Sequence, residues 1–289
     1  AKLDFQGVSE RYQWYRNQDT AQAEKSFQEA ELLIPDAAQR ERLIDIGRKA
    51  LRAGRVAVFL VAGGQGSRLG FDGPKGCFPV SPLKSKSLFQ LCAEQILAQQ
   101  RRYGMSLPWY ILTSEENNEA TRDFFQLHGC FGLQPDDVHC IVQKQIPSVD
   151  LDGQLLLGRD GRIFKNPNGH GGSLYALQDS GALDEMAGRG IDEIFYFQVD
   201  NPLVKIADPF FVGAHIVQLA VVSYKVVRKT DPEEKVGIIG RVNGRMGCIE
   251  YCELSADLAA ERVSDGSLRF KSANIAVHMI KRSFVEKLV

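Results

Sequence analysis

The fold is decided by residues 56–70, which read VAVFLVAGGQGSRLG. Residues 56–62 are apolar without alternation, a pattern typical of a strand that is buried between two layers of helices. Three glycines follow at once, Gly63, Gly64 and Gly66, and they let the backbone turn tightly with its N–H groups directed at an anion. The stretch therefore predicts a phosphate-binding loop at the end of a buried strand.

Two cations accompany this loop. Arg68 lies within it and Lys75 follows Pro74, so a guanidinium and an ammonium group are placed where a polyphosphate would bind. Two common phosphate-binding motifs do not fit the stretch. A Walker A loop requires Gly-Lys-Ser/Thr, which this sequence lacks, and the dinucleotide-binding fingerprint requires glycine where the chain has Leu69. The loop thus indicates a nucleotide site of another class.

The composition excludes several functional classes. The chain has 289 residues, with 35 Lys and Arg against 36 Asp and Glu and a net charge of -1. This balance argues against a protein that coats nucleic acid or binds membranes through a polybasic patch. The longest apolar run, residues 56–62, is far shorter than the roughly 20 residues of a membrane span, and residues 1–4 show no signal-peptide core. We therefore expect a cytoplasmic protein without nucleic-acid or membrane partners.

The cysteine pattern favours ordinary reduced thiols. The chain has six cysteines, and only Cys248 and Cys252 lie close together. Neither a second pair nor a nearby histidine completes the spacing of a metal site. A chain of this length also buries enough apolar surface to fold without disulfides.

Strand and helix patterns alternate along the rest of the chain. Residues 1–54 are predicted to be helical, with a break at Pro35 and a stop at Gly54. Further helices are predicted at 87–103, 117–127, 172–181, 210–218 and 278–289, and strands at 56–62, 109–113, 138–143, 194–199, 223–228, 236–242 and 248–253, with a hairpin over 150–163. This alternation predicts an α/β fold with a Rossmann-like, mostly parallel central sheet flanked by helices.

The chain also passes from helix to strand over residues 215–222 without Gly, Pro or Asn, and its last helix pattern stops at Val289. Both features suggest that loops or a C-terminal part are absent from this numbering.

The loop with its following Pro74-Lys75 resembles the signature of the UTP:sugar-1-phosphate uridylyltransferases. Among them it is most similar to the eukaryotic-type UDP-N-acetylglucosamine pyrophosphorylases and their UDP-glucose and UDP-sugar relatives. Further family blocks follow in order: Gln143 with Pro147, residues 166–172 (NPNGHGG), residues 197–203 (FQVDNPL), residues 229–232 with 236–237, residues 250–251 and residues 273–276. The resemblance covers about residues 55–280. It implies a nucleotide-diphospho-sugar transferase fold of the GT-A-like type, with a helical segment over 1–54 and a nucleotidyltransferase catalytic domain over 55–289.

The resemblance also implies roles for the nucleotide site. Gly63, Gly64 and Gly66 would supply backbone donors, while Arg68 and Lys75 would hold the departing pyrophosphate. Pro167 and Gly169 would contact the base and ribose, and Asp200 would coordinate a Mg²⁺ ion bound to the phosphates, as a hard oxygen ligand suits that cofactor. Gln143 would read the uracil edge, since an amide donates and accepts; the alternative is a solvent-facing glutamine at a strand end.

The sugar site is implied by four residues, Gly237, Glu250, Tyr251 and Asn274. His170 departs from the N-acetylglucosamine branch, in which asparagine is more usual, and instead matches the Gly-His-Gly of the glucose and broad-specificity branches. It would contact the phosphate or a sugar hydroxyl.

The family's late phosphate-binding lysine and its C-terminal domain have no counterpart in the numbering. Lys225 and Lys229 lie on or after a strand and are expected to be exposed strand lysines, with a contact to phosphate as the alternative; no catalytic role is assigned to them.

Three functional classes follow. The first is a uridylyltransferase that makes a UDP-sugar and pyrophosphate from UTP and a hexose 1-phosphate, with N-acetylglucosamine 1-phosphate as first choice and glucose 1-phosphate, or a broad range of sugars, as the alternative. The second is a catalytically silent binder of UDP-sugars. The third, an NAD-dependent oxidoreductase, is disfavoured by Leu69 and by Pro74-Lys75. The oligomeric state is left open.

Overall fold

A nine-stranded sheet organises the part of the chain that the computed structural model describes, residues 5–18 and 25–289. The strands are β1 Phe27–Glu29, β2 Val56–Val61, β3 Trp109–Thr113, β4 Val138–Val142, β5 Gln145–Pro147, β6 Lys165–Pro167, β7 Glu193–Gln198, β8 Val222–Arg228, β9 Ile238–Val242, β10 Arg245–Ile249 and β11 Ser272–Lys281, of which β5 and β6 form a separate pair. The helices are α1 Phe5–Gln18, α2 Ala37–Arg52, α3 Leu88–Tyr103, α4 Asn118–Leu127, α5 Gly172–Asp179, α6 Ala182–Gly188, α7 Pro209–Val217, α8 Ala256–Ala260 and α9 Arg282–Leu288.

The centre of the sheet is parallel and contains a change of direction. Strands β2, β3 and β4 follow one another outward, and β7 returns to pair with the other side of β2. Beyond β7 the sheet continues with β11 and β9, which are antiparallel to their neighbours. In such a sheet a crevice opens between the carboxyl ends of the two strands at which the order reverses, and ligands bind there. The predicted α/β class with a parallel centre is confirmed, and β2 and β7 flank that crevice.

Both faces of the central strands are covered by helices. Side chains of α2, α3, α4 and α7 pack on one face, and side chains of α5, α6 and α9 pack on the other. Phe125 of α4 lies with its ring centroid 5.3 Å from that of Trp109 in β3 and 5.0 Å from that of Phe89 in α3. This two-sided burial explains why the central strands are apolar without alternation.

Helices α2 and α7 touch backbone to backbone. A Cβ atom on Gly47 would lie 1.9 Å from the carbonyl oxygen of Pro209, and one on Gly213 would lie 1.8 Å from that of Leu43. Neither glycine can therefore be replaced without separating the helices. This contact joins the N-terminal part of the chain to the sheet.

The N-terminal segment is not wholly helical. Residues 1–4 and 19–24 of the predicted helical segment lie outside the described residues. Helices α1 and α2 fit the prediction, and α2 begins with a capping box between Asp36 and Gln39. Residues Phe27–Glu29 instead pair antiparallel with β9, so the helical prediction is wrong there because an open sheet edge binds this segment. The division at residue 54 stays a prediction.

Two predictions near the C-terminus are also wrong. His278–Lys281 is not helical but ends the ten-residue strand β11, which lies between β7 and β8. The predicted strand at 248–253 is displaced, since β10 ends at Ile249 and a turn follows. Asn243 and Gly244, with φ of +51° and +78°, form the Asn-Gly hairpin between β9 and β10 that sets this register.

The junction at 215–222 requires no absent loop. Leu219 adopts the left-handed conformation at φ +50° and donates its N–H to the carbonyl of Ile216 at 3.1 Å. This turn ends α7 and leads directly into β8. The expectation that a loop is absent at this point is therefore wrong.

No helix among the described residues is long and apolar enough to cross a membrane. The six cysteines all carry free thiols.

Candidate functional site

The glycine loop leaves β2 at the crevice and folds back on itself. The carbonyl of Gly64 accepts the N–H of Lys75 at 3.0 Å, and the N–H of Gly66 donates to the carbonyl of Gly73 at 2.9 Å. These bonds hold residues 63–75 as one closed loop. Lys75 is thereby fixed opposite Gly64.

Two of the three predicted backbone donors are available. No described residue accepts the N–H of Gly63 or of Gly64, so both groups can face a phosphate oxygen. The prediction that Gly66 is a third donor is wrong, because its N–H is taken by Gly73. Gly66 has a packing role instead, since a Cβ there would lie 2.8 Å from the ring of Phe71.

Asn117 supports the loop from below and was missed by the sequence analysis. Its side chain is fully buried, and its Nδ2 donates to the carbonyls of Ala62 at 3.1 Å and Gly64 at 3.3 Å. Its Oδ1 accepts the N–H of Ser114 at 2.8 Å. The residue ties the ends of β2 and β3 together. In sequence Asn117 has the pattern of an ordinary helix start, which gave no sign of this role.

An ion pair joins the glycine loop to the end of β7. The Nζ of Lys75 lies 2.9 Å from Oδ1 and 3.1 Å from Oδ2 of Asp200, which follows β7. The Lys75 side chain passes over Gly64, where a Cβ would lie 3.8 Å from Nζ, and the next residue, Gly76, packs against the ring of Phe89. The structure therefore brings Gly63, Gly64, Lys75 and Asp200 to one place.

Arg68 lies in a single helical turn, Ser67–Leu69, at the tip of the loop. The side chain is exposed, and within the described part of the chain no hydrogen bond or ion pair holds its guanidinium. It is therefore free to bind an anion.

Gln143 and Gly169 are in contact. Gln143 follows β4, is buried, and donates from Nε2 to the carbonyl of Gly169 at 2.7 Å. The alternative of a solvent-facing glutamine is therefore wrong. Gly169 has φ of +61° and donates its N–H to the carbonyl of Pro167 at 2.8 Å, while a Cβ on Gly172 would lie 2.9 Å from Nε2 of Gln143. The base-binding residues predicted from two separate blocks thus form one unit.

His170 lies over the carboxyl end of β7. Its Nδ1 is 3.4 Å from the hydroxyl of Tyr196 and 3.4 Å from Nε2 of Gln198. Behind it, His278 stacks on Tyr196 with ring centroids 5.2 Å apart, and its Nδ1 is buried without a hydrogen-bond partner in the described residues. Burial, and secondarily the nearby His170, lowers the pKa of His278 to about 4. The exposed His170 is therefore the imidazole of this pair that a ligand can reach.

Three of the four predicted sugar-site residues surround one thiol. Asn274 donates from Nδ2 to Sγ of Cys248 at 3.6 Å, Sγ lies 3.8 Å from Oε1 of Glu250, and a Cβ on Gly237 would lie 2.6 Å from Sγ. Tyr251 is exposed in the turn after β10, and no hydrogen bond or ring contact within the described ranges joins it to the other three. His278 of β11 pairs with Tyr196 of the antiparallel β7. Asn274 lies four residues earlier on β11 and is therefore beyond the carboxyl end of β7.

The two strand lysines are not exposed, so that expectation is wrong. The Nζ of Lys225 lies 3.1 Å from Oδ2 of Asp208 and 5.3 Å from the ring centroid of Phe211. Lys229 follows β8, and only 4% of its surface is exposed. No ion pair or hydrogen bond from another described residue compensates its ammonium group. An ammonium group at the end of a largely buried side chain, with no partner in the described part of the chain, is available to an anion.

The described residues hold no group of three or more His, Cys, Asp or Glu side chains suited to a metal ion. Mg²⁺ does not require one, because it is commonly held by one or two carboxylates together with substrate phosphates. Asp200, with 57% of its side chain exposed at the crevice, fits that arrangement. A separate cavity of about 660 Å³ lies against β4 and is lined by none of the predicted site residues.

Comparisons with known proteins match most of the chain. The profile of the family described as UTP--glucose-1-phosphate uridylyltransferase matches residues 5–289. The UDP-N-acetylhexosamine pyrophosphorylase-like protein 1 of Homo sapiens is 39% identical over 257 residues, which make up 87% of this chain and 51% of that protein. The UDP-N-acetylglucosamine diphosphorylase 2 of Arabidopsis thaliana is 38% identical over 263 residues, or 86% of this chain and 52% of that protein.

A solved structure is similar over the same part of the chain. The uridine diphosphate N-acetylglucosamine pyrophosphorylase from Trypanosoma brucei, in complex with an inhibitor, matches with a TM-score of 0.80 and 31% identity, covering 87% of this chain and 52% of that one. The chain therefore spans about half the length of the curated relatives it matches.

Proposed function

Because this chain belongs to the UTP–glucose-1-phosphate uridylyltransferase family, as its glycine loop predicts, we propose that it joins UTP and a sugar 1-phosphate into a UDP-sugar and pyrophosphate. One observation supports the proposal above the others. The ion pair between Lys75 and Asp200 links the phosphate-binding loop after β2 to the carboxylate after β7. Nucleotides bind at this crevice in open α/β sheets.

The proposed reaction is a direct displacement. An oxygen of the sugar phosphate attacks the α-phosphorus of UTP, the bond from that phosphorus to the bridging oxygen breaks, and pyrophosphate leaves with the negative charge. The free N–H groups of Gly63 and Gly64, together with Arg68 and Lys75, would stabilise that charge. Because no group of the protein becomes covalently attached, much of the acceleration would come from holding two anions in line.

Binding would exchange the partners of the ion pair. Lys75 and Asp200 form an ion pair, and 57% of the Asp200 side chain is exposed. An ion pair of this kind contributes at most about 1 kcal/mol, so it opens readily. Lys75 would then contact a phosphate, and Asp200 would hold a Mg²⁺ ion that neutralises part of the phosphate charge.

The base would be read by the unit of Gln143 and Gly169. One amide N–H of Gln143 is used by the carbonyl of Gly169. Its second N–H and its Oε1 remain for a base edge that both accepts and donates, as uracil does. Because the side chain is buried and fixed, it would select the base with little loss of side-chain freedom. Pro167 and Gly169 would present backbone to the base and ribose.

The sugar phosphate would bind beyond β7. Lys229 lies at the carboxyl end of β8, which runs parallel to β7. Its side chain is largely buried, and its ammonium group has no partner among the described residues. We assign it to the phosphate of the sugar substrate. Glu250 and Asn274 would bind the hydroxyls, and His170 would contact the phosphate or a hydroxyl.

We favour N-acetylglucosamine 1-phosphate as the substrate. The relatives that are 38% and 39% identical are named for N-acetylglucosamine and N-acetylhexosamine. Glucose 1-phosphate is the alternative, because the family description names it and because His170 follows the pattern of that branch.

The test is release of pyrophosphate from UTP and Mg²⁺ with each sugar 1-phosphate in turn, using ATP in place of UTP as the matched control. We expect pyrophosphate to be released when UTP is the nucleotide and not when ATP replaces it. Among the sugar 1-phosphates, N-acetylglucosamine 1-phosphate should give the highest kcat/KM. Absence of release with every sugar would refute the enzymatic proposal. Tight binding of a UDP-sugar by calorimetry without turnover would then identify a silent binding protein.

A further inference from the structure

The thiol of Cys248 lies at the centre of the predicted sugar-binding residues. It accepts from Nδ2 of Asn274 at 3.6 Å and lies within donor distance, 3.8 Å, of Oε1 of Glu250. Both distances fall within the longer range of hydrogen bonds to sulfur. The sequence analysis did not identify Cys248, because the three residues come from separate elements: Cys248 and Glu250 from β10 and its following turn, and Asn274 from β11.

The backbone opposite leaves space for this thiol alone. A Cβ on Gly237 would lie 2.6 Å from Sγ of Cys248, closer than such atoms approach in proteins, whereas the next contact, with Oε2 of Glu250, would be at an ordinary 3.6 Å. Gly237 has no left-handed φ that would itself require glycine. The space taken by the thiol therefore explains why residue 237 is a glycine. The predicted contact of Gly237 with the sugar is not needed to explain the glycine.

The proton of the thiol has a defined direction. Burial raises the pKa of Cys248, with the nearby Glu250 acting in the same direction, so the sulfur keeps its proton at neutral pH. The Asn274 amide donates a hydrogen bond to the sulfur, whereas the carboxylate of Glu250 can only accept one. The bonds therefore run from Asn274 through Cys248 to Glu250.

We propose that Cys248 is a positioning residue for sugar binding, which orients the Glu250 carboxylate and the Asn274 amide toward the hydroxyls of the sugar substrate. This role rests on the proposed function. Glu250 is exposed after a strand end, and apart from the thiol its side-chain carboxylate has no hydrogen-bond partner among the residues described. Asn274 is held on its other side, since its Oδ1 accepts the N–H of Ala276 at 2.9 Å. The thiol is thus the group that connects the side chains of Asn274 and Glu250 through hydrogen bonds.

The first test compares Cys248→Val with Cys248→Ser. Valine fills the space without polar atoms, and serine keeps a donor and an acceptor. We expect Cys248→Val to raise the KM for the sugar 1-phosphate about fivefold, with the KM for UTP unchanged, because both weak hydrogen bonds of the thiol are lost. Cys248→Ser should restore the KM to within about twofold of the original. Cys252→Val, which changes an exposed thiol of the neighbouring turn, is the matched control and should have no effect.

The second test uses the contact with Gly237. Gly237→Ala alone should raise the KM for the sugar 1-phosphate, because the new methyl group displaces the thiol. In a Cys248→Ala background the same change should have no further effect, because the atom that it displaces is absent. A purely structural role would instead lower the melting temperature of both single variants and leave the KM of the folded protein unchanged.

The outcomes separate this inference from the proposed function. If the original chain releases pyrophosphate and both Cys248→Val and Gly237→Ala keep its KM values, Cys248 has no positioning role. If the original chain releases none, the proposed function has failed first. The same variants are then compared by calorimetry with UDP-N-acetylglucosamine, and equal affinities would reject the inference independently.

Discussion

Replacement of Asp200 by asparagine tests the central pair of the site. Asparagine preserves the shape of the side chain and one oxygen acceptor for Lys75, but it removes the negative charge. The side chains are 57% and 21% exposed for Asp200 and Lys75, so solvent screens their attraction. A pair of this kind stabilises a protein by at most about 1 kcal/mol. We therefore expect the melting temperature of Asp200→Asn to fall by less than about 4 °C.

The effect on activity should be far larger than the effect on stability. If Asp200 holds the metal ion that accompanies the nucleotide, the variant loses the charged ligand that Mg²⁺ prefers. We expect the rate of pyrophosphate release to fall by a factor on the order of 10² or more, as happens when one charge-stabilising group is removed. The Mg²⁺ concentration for half-maximal rate should also rise.

The assay measures pyrophosphate release over a Mg²⁺ titration, with thermal melting of the same samples. Asp45→Asn is the matched control, because Asp45 forms a similar pair with Lys49 at 2.8 Å on α2 and is 52% exposed. It should keep full activity. Undiminished turnover of Asp200→Asn in a folded protein would refute the reasoning, since the carboxylate opposite the glycine loop would then have no part in the reaction.

Three further predictions concern single side chains. Arg68→Ala should slow pyrophosphate release on the order of 10²-fold without changing the melting temperature, because no described residue holds this guanidinium; an unchanged rate would remove it from the site. Lys229→Met should leave the free energy of unfolding in denaturant titrations nearly unchanged, because the side-chain volume is kept and no described residue pairs with the ammonium group, yet it should raise the KM for the sugar phosphate at least tenfold; Lys225→Met, which breaks the pair with Asp208, should only destabilise. The pKa of His278 is lowered to about 4 in the folded protein, whereas in the unfolded chain it has its ordinary value of about 6.5. Between these two values only the unfolded chain binds the proton, so stability is lost as the pH falls from about 6.5 to about 4. His278→Phe should reduce that loss by up to about 3 kcal/mol in denaturant titrations at several pH values, and an unchanged pH profile would contradict the assignment.

The parts of the site that could be predicted are those that follow apolar strands directly. Residues 56–70 contain both the strand and the loop, so the position of Gly63 and Gly64 at a sheet edge required no long-range information. Asp200 follows a second apolar strand in the same way. Because parallel strands end at the same edge of a sheet, the two predictions together implied that the loop and Asp200 face each other. The ion pair between Lys75 and Asp200 itself was not predicted.

The residues that were missed act through partners distant in sequence. Asn117 looks like a helix start, but its amide binds carbonyls 53 and 55 residues earlier in the chain. Cys248 is in contact with Asn274, 26 residues later. A local signal existed for the second case, because the Asn-Gly pair at 243–244 predicts a hairpin and hence the register of β10. No local signal distinguishes a buried lysine after a strand from an exposed one, so the burial of Lys229 could be recognised only from the fold.

The charges of the site also indicate why a metal ion is expected. The proposed site contains three cations, Arg68, Lys75 and Lys229, and two carboxylates, Asp200 and Glu250. Lys75 is already paired with Asp200. The two substrates are both polyanions, since a phosphate monoester alone carries roughly two negative charges near neutral pH. The side chains therefore leave most of the substrate charge uncompensated, and mutual repulsion would oppose the approach of the sugar phosphate to the nucleotide. A divalent cation bound with the nucleotide at Asp200 would reduce that repulsion and release Lys75 for the leaving pyrophosphate. On this reasoning turnover should depend on the divalent ion more strongly than UTP binding does, and equal dependence of the two would contradict it.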